Sequence, residues 1–271
     1  MKNLVQACLF LLSISLIYAL TRPFEPLQRG LIAYYSFNQC DARDDTGNGS
    51  DGELFGSVGC WCGIEDDGLL FDGVGDYVEF YGRVNRYFNT TDFTISFYFK
   101  PEQYSPFDQS LISKRETCEE YYMLDLLLNM SAGEVGTNVY ETPYKFYPAI
   151  SPTLDSTNWQ HFALVRDGFR ASTYINGQLR RQGFRCSGVD IGNEAVLSFA
   201  NSPCLGRSSR RFKGVLDELR VYDRALPEDE IWELYQMYPV ENAQMDCVTF
   251  VPEKSKEELF NTIETTYLCW K

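Results

Sequence analysis

Residues 93–100, FTISFYFK, alternate without a break. Phe93, Ile95, Phe97 and Phe99 fall on one side, and Thr94, Ser96, Tyr98 and Lys100 on the other. Successive side chains of a strand point to opposite faces, so a period of two with one apolar face predicts a half-buried β-strand. The texture recurs. LIAYYSF (31–37), SLISK (110–114), YYMLDLLLN (121–129), WQHFALVR (159–166), ASTYING (171–177), QLRRQG (178–183) and VLSFA (196–200) read as short strands. GLLFDGVGDYVEF (68–80) reads as two strands around a Gly-rich turn. Asn176-Gly177 marks a tight hairpin, because both central residues of that turn need positive φ. DARDDTGNGSDGE (41–53) is a loop by its density of Asp, Gly and Asn. YETPYKFYPAI (140–150) reads as loop-rich. Many short strands with turn residues between them predict an all-β fold, an antiparallel two-sheet jelly-roll sandwich from about Gly30 to Tyr222.

The termini read differently. LPEDEIWELYQMY (226–238) predicts a short helix over 227–235 after the last strand. Pro227 suits the first turn, Glu228, Asp229 and Glu230 face the positive end of the helix dipole, and Ile231, Leu234 and Tyr235 form an apolar stripe. Past Pro239, SKEELFNTIETTYL (255–268) predicts a second helix capped by Ser255, inside a C-terminal extension. At the other end Lys2 precedes an apolar run from Leu4 to Leu20 with no charge until Arg22. That is the layout of a secretory leader cut after Ala19; the alternative is an uncleaved anchor. The expected organisation is a leader at 1–19, a jelly-roll domain at 20–238, and an extension at 239–271 tethered by a disulfide. It implies a secreted, extracellular protein with no membrane span after cleavage.

Composition narrows the partners. A net charge of −14 leaves no electrostatic basis for binding a nucleic-acid backbone. Of nine cysteines, Cys8 lies in the leader, and the remaining eight suit bridges in an oxidising compartment. Cys186 with Cys204 and Cys247 with Cys269 are the expected local pairs. Cys60 and Cys62 are left to reach Cys40 and Cys118 in an order the spacing does not fix. Zinc is disfavoured, because Cys60-Trp61-Cys62 has no second close pair and the chain holds one histidine. Asn48, Asn89 and Asn129 head glycosylation sequons.

The ordered set GLIAYYSFN, DDTGNGSDG, LLFDGVGDYVEF, FTISFYFKP, WQHFALVRDG, YINGQL and GVLDELRVYDRALPEDEI resembles the laminin-G-like, concanavalin A-like jelly-roll family, of the pentraxin-like kind. The match runs from about Gly30 to Tyr235. The resemblance implies that Asp217 on the last strand lies near the 44–51 loop, where many relatives hold a structural calcium. Asp44, Asp45, Asn48 and Asp51, closed by Asp217, form the expected ligand set, since calcium takes carboxylate and carbonyl oxygens. The alternative is a turn held by its own Asx hydrogen bonds. Asp217 and Glu218 are adjacent, so on a regular strand they face opposite ways and form no catalytic pair; Arg220 then pairs with Glu218 at the surface. His161 shares a strand face with Trp159, Ala163 and Val165 and reads as a satisfied, partly buried structural residue. Tyr140, Tyr144 and Tyr147, together with Phe146, are candidate ligand-stacking residues. No E-x-D-x-x-E pattern of the related glycosidases occurs. The expected function is a secreted, non-enzymatic module that binds a glycan or an extracellular protein. The alternatives are a polysaccharide hydrolase or lyase with an unrecognised carboxylate pair, and a structural coat or adhesion protein.

Overall fold

The computed structural model describes residues 25–89, 92–102, 105–152, 158–168, 170–183, 189–207 and 209–243. Among them the strands are β1 (Leu31–Tyr35), β2 (Gly52–Phe55), β3 (Gly59–Cys62), β4 (Asp67–Asp72), β5 (Tyr77–Phe80), β6 (Phe93–Pro101), β7 (Asp108–Lys114) and β8 (Met123–Asn129). They continue as β9 (Glu134–Thr142), β10 (Lys145–Pro152), β11 (Gln160–Asp167), β12 (Arg170–Ile175), β13 (Gln178–Gly183), β14 (Leu197–Phe199), β15 (Ser209–Arg211) and β16 (Lys213–Tyr222). A short helix α1 (Glu25–Gln28) precedes them and α2 (Glu228–Met237) follows. One sheet runs β13-β12-β11-β6-β16-β4-β3, with β1 also on β16; the other runs β10-β9-β8-β7-β14-β5-β2, with β15 parallel to β7. All other pairings are antiparallel. This is the jelly-roll sandwich the alternation predicts. Among the described residues no helix is long and apolar enough to cross a membrane.

The core between the sheets is rich in phenylalanine. Phe71, Phe97, Phe99, Phe199 and Phe212 meet in tilted and edge-on pairs with centroids 5.2–6.4 Å apart. Each such side chain contributes about 1.5–3 kcal/mol on burial. β6 departs from expectation on its other face. Thr94, Ser96 and Tyr98 are as buried as the phenylalanines, because α2 and the segment after it cover that side of the sheet. Ile231, Leu234 and Tyr235 of α2 are buried; Ile231 and Leu234 pack with Leu27, Ala163, Val165, Tyr174 and Tyr222, and the Tyr98 hydroxyl donates to the Leu234 and Tyr235 carbonyls at 3.2 Å. The strand is therefore buried on both faces.

Two further expectations are corrected. The 140–150 stretch is the β9–β10 hairpin rather than loop. Pro148 and Pro152 are tolerated in it because β10 is an edge strand whose outer N–H groups need no partner. Cys204 does not bond Cys186. It bonds Cys118, with Cα atoms 5.0 Å apart: residues 201–203, after β14, border the same small cavity as Ser113, Arg115 and Glu116, and so bring Cys204 to the turn after β7. Cys40 bonds Cys60, with Cα atoms 5.3 Å apart, and Cys62 is also in a disulfide. The expected leader, the 255–268 helix, and Cys186, Cys247 and Cys269 lie outside the described residues.

Candidate functional site

β16 is the hinge of one sheet. β6 pairs with it along one side. On the other side β4 pairs with Lys213–Leu216 and β1 with Leu219–Tyr222. At Asp217–Glu218 the neighbour changes, and a bulge absorbs the change: the register slips between Asp217 and Arg220, and Glu218 takes φ +54°. The bulge breaks the alternation that had separated Asp217 from Glu218. The two carboxyl groups feel each other, and both pKa values are raised, each by burial first; for Asp217 the Glu218 charge adds to the rise. Glu218 is held by the Tyr34 hydroxyl at 2.8 Å and by Arg220 at 2.5 Å, and Arg220 also lies over the Tyr34 ring at 4.2 Å. The expected Glu218–Arg220 pair exists, but it is buried rather than superficial, with Glu218 0% and Arg220 6% exposed.

Asp217 does not face the 44–51 loop. Its Oδ2 accepts the Ile64 and Glu65 N–H groups at 2.7 and 3.3 Å, and its Oδ1 accepts that of Glu218 at 2.8 Å. The turn it holds borders a polar cavity of about 550 Å³ lined by Asn38, Gly63, Glu65, Asp66, Asp67 and Asn242. A Cβ built on Gly63 would lie 2.2 Å from Asp217 Oδ2 and 2.7 Å from the carbonyl oxygens of both Glu65 and Asp67. Three oxygens thus converge where only glycine fits. The Asn38 amide faces the carbonyls of Ser36, Glu65 and Asp67. Turned nitrogen-first it donates to them at 3.2, 3.2 and 3.3 Å; turned oxygen-first it adds a fourth oxygen to the group. The donor set therefore suits a hard cation.

The 44–51 loop is closed by its own hydrogen bonds. Asp44 accepts the N–H groups of Tyr34 (3.3 Å), Thr46 (3.1 Å) and Ser50 (3.1 Å) and the Thr46 hydroxyl (2.6 Å). Asp51 accepts the Asp44 N–H at 2.9 Å, Asp45 accepts Ser36, and Asn48 donates to the Ile32 carbonyl at 3.2 Å. Asp44, Asp45 and Asp51 do not bring one oxygen each within 4.8 Å of one another. The expected calcium set is thus not assembled, and the loop takes the Asx-turn form.

A second concavity opens at the far end of the sandwich, where the two edge strands β10 and β13 approach. It measures about 780 Å³ and is lined by Tyr144 to Ile150 and Arg181 to Gly183. Tyr144 is 95% exposed at its mouth and Ile150 is exposed beside it. Phe146 stacks on Tyr140 at 4.8 Å with 9° between the rings. Tyr147 is a buried wall, its ring packed so closely on Gly183 that a Cβ there would meet it at 2.2 Å.

A family model described as the concanavalin A-like lectin/glucanases superfamily (Laminin_G_3) matches residues 72–232. The chain belongs to this superfamily. Solved structures agree on the fold. The binding domain of Paraclostridial Mosquitocidal Protein 1 superposes with a TM-score of 0.62 at 17% identity, over 77% of this chain and 52% of that one. The Botulinum neurotoxin serotype G binding domain gives 0.63 at 14%, over 76% and 51%. Domain 4 of AbnA, a GH43 extracellular arabinanase from Geobacillus stearothermophilus in complex with arabinotriose, gives 0.60 at 21%, over 76% of this chain and 98% of that domain. The chain therefore spans about half of the toxin domains and nearly all of the arabinanase domain. No curated protein sequence matches significantly.

Within this concanavalin A-like sandwich the remaining expected residues fall as follows. Tyr144 lies at the cleft mouth, Tyr147 in its wall, and Tyr140 beneath Phe146. His161 is fully rather than partly buried; its Nε2 lies 2.8 Å from Ser96 Oγ, and its Nδ1 has no hydrogen-bond partner among the described residues. Asn48 and Asn89 are exposed, and the Asn129 side chain accepts the Ala132 N–H at 2.9 Å. Asn38, Gly63 and Arg181 were missed. The available signs were the acidic run after Gly63 (GIEDD, 63–67) and the adjacent Arg180-Arg181 on a strand of an acidic chain.

Proposed function

We propose that this protein is a secreted, non-enzymatic recognition module that binds a saccharide in the β10/β13 cleft. One observation carries the reading: an open cleft with exposed aromatic and apolar side chains at its mouth and polar groups, Arg181 and Gln182, in its wall. Saccharide sites have this composition, because sugar rings present C–H faces to aromatics and hydroxyls to polar groups. Glycoside hydrolysis requires two facing carboxylates, and the cleft lining contains none. The arabinanase domain, whose structure holds arabinotriose, is matched along 98% of its length and supports the same reading. A glycan array read with wild type and Tyr144→Ala tests it. Binding to a defined glycan class that falls at least tenfold in the variant is expected; glycan binding indifferent to the substitution would move the site elsewhere.

Calcium, implied by the family resemblance, belongs in this proposal at a different place from the 44–51 loop. Asp217, the Glu65 and Asp67 carbonyls and the Asn38 amide oxygen would hold it. There a divalent charge would neutralise the buried Asp217 and tie β16 to the 63–67 turn.

A further inference from the structure

The cleft carries a charge bias opposite to that of the whole protein. The chain has 38 Asp and Glu against 24 Lys and Arg, yet Lys145 and Arg181 line the cleft and no carboxylate does. Arg180 adjoins them on the exposed strand β13. The two lining cations differ. Lys145 is tied to Glu141 at 2.6 Å. Arg181 donates through Nε to the Ile150 carbonyl at 3.0 Å, which anchors the head of a long side chain across the gap between the two sheets. Its terminal nitrogens have no partner among the described residues. A guanidinium held at Nε keeps a fork of N–H groups for a planar anion, and the ordering of the side chain is already done.

The surroundings add a second requirement. Tyr144, Pro148 and Ile150 are exposed and Phe146 lies flat on Tyr140, so an apolar, aromatic surface adjoins that fork. Gln182 lies beside them, its amide nitrogen donating to Ser172 Oγ at 3.2 Å. A free inorganic anion would use the fork and leave the aromatics idle. A neutral sugar would use the aromatics and leave the guanidinium uncommitted. A sugar ring bearing an acidic substituent uses both.

We propose that the cleft recognises an acidic saccharide, one carrying carboxylate or sulfate groups, with Arg181 receiving the anion and the Tyr144–Phe146 surface receiving the ring. This rests on the saccharide-binding reading above. The test is calorimetric titration of the full chain with three oligosaccharides of matched length: a neutral arabino-oligosaccharide, an oligogalacturonate, and a sulfated heparin-derived fragment. At least one acidic probe is expected to bind tenfold or more tighter than the neutral one. Arg181→Gln should remove that preference, Arg181→Lys should keep part of it, and Arg83→Gln, on an exposed arginine outside the cleft, should leave it intact. Equal affinity for neutral and acidic probes in the wild type overturns the inference while saccharide recognition stands. Acidic binding that Arg181→Gln and Arg83→Gln weaken alike marks diffuse charge attraction and also overturns it. Failure of all three probes overturns the saccharide reading itself, and this inference with it.

Discussion

His161 sits fully buried between Ser96 and the rings of Tyr98 and Tyr235, and burial, helped by Arg220, pushes its pKa down to about 3. The direction fixes the pH dependence. In the unfolded chain the imidazole takes a proton as pH falls through about 6.5. In the folded protein it stays neutral until far lower. The neutral form thus contributes its full stability above pH 6.5, and that contribution drains away as pH falls toward 3. By pH 5 the loss attributable to this one group is about 2 kcal/mol. The buried carboxyl of Asp125, raised by burial to about 6 in spite of Arg115 at 2.8 Å, acts oppositely and gains on acidification. The difference between two proteins sharing Asp125 removes that contribution. Urea unfolding at pH 7 and pH 5 should therefore show the wild type losing about 2 kcal/mol more than His161→Gln. Equal losses would mean that water or a conformational opening reaches the imidazole.

At the scale of elements, β6 and β16 show where local pattern ends. Phe93, Ile95, Phe97 and Phe99 point into the core as their alternation predicts, because a period of two is a property of the strand alone. The bulge at Glu218 is not such a property. It exists because β16 leaves β4 and joins β1 at that residue, and neither neighbour is near in sequence. Alternation therefore misplaced Glu218, and the family resemblance directed Asp217 to a loop it does not face. The cleft was hidden for a related reason: prolines that argue against a central strand are harmless on the edge strand β10, and edge position is decided by the whole sheet. The bulge also gives the calcium proposal its test. If Asp217 and the 63–67 turn hold the ion, calcium at about 100 times its Kd should raise the wild-type melting temperature by roughly 5–10 °C. In Asp217→Asn most of that shift should vanish, while Asp44→Asn should lower the melting temperature by similar amounts with calcium and with chelator. A calcium shift lost in Asp44→Asn and kept in Asp217→Asn would return the ion to the 44–51 loop.

Across the whole molecule, two cross-links act on different lengths of chain. Cys118–Cys204 closes a separation of 86 residues, spanning β8 to β14, whereas Cys40–Cys60 closes 20. Where a disulfide stabilises by restricting the unfolded chain, the longer loop gives the larger effect: about 4–5 kcal/mol for the first and about 3 kcal/mol for the second. Cys118→Ser/Cys204→Ser should accordingly lower the guanidinium midpoint more than Cys40→Ser/Cys60→Ser, with the other bridges kept oxidised. Peptide mapping without reduction should recover the Cys118 and Cys204 peptides joined; a Cys186–Cys204 peptide would contradict the approach of residues 201–204 to the turn after β7. The ordering of the two variants carries a further consequence. The Cys40–Cys60 bridge lies beside the Asn38 cavity, in the segment joining β1 to β3, so its loss also loosens the oxygens that would hold calcium. Measured in chelator, the Cys118–Cys204 variant should be the less stable of the two. Measured with calcium at about 100 times its Kd, the order should reverse, because the Cys40–Cys60 variant alone forfeits the ion's contribution of about 2.7 kcal/mol, which exceeds the difference of about 1–2 kcal/mol between the two bridges. A gap that stays constant with and without calcium would uncouple the bridge from the cavity and leave chain entropy as the whole difference.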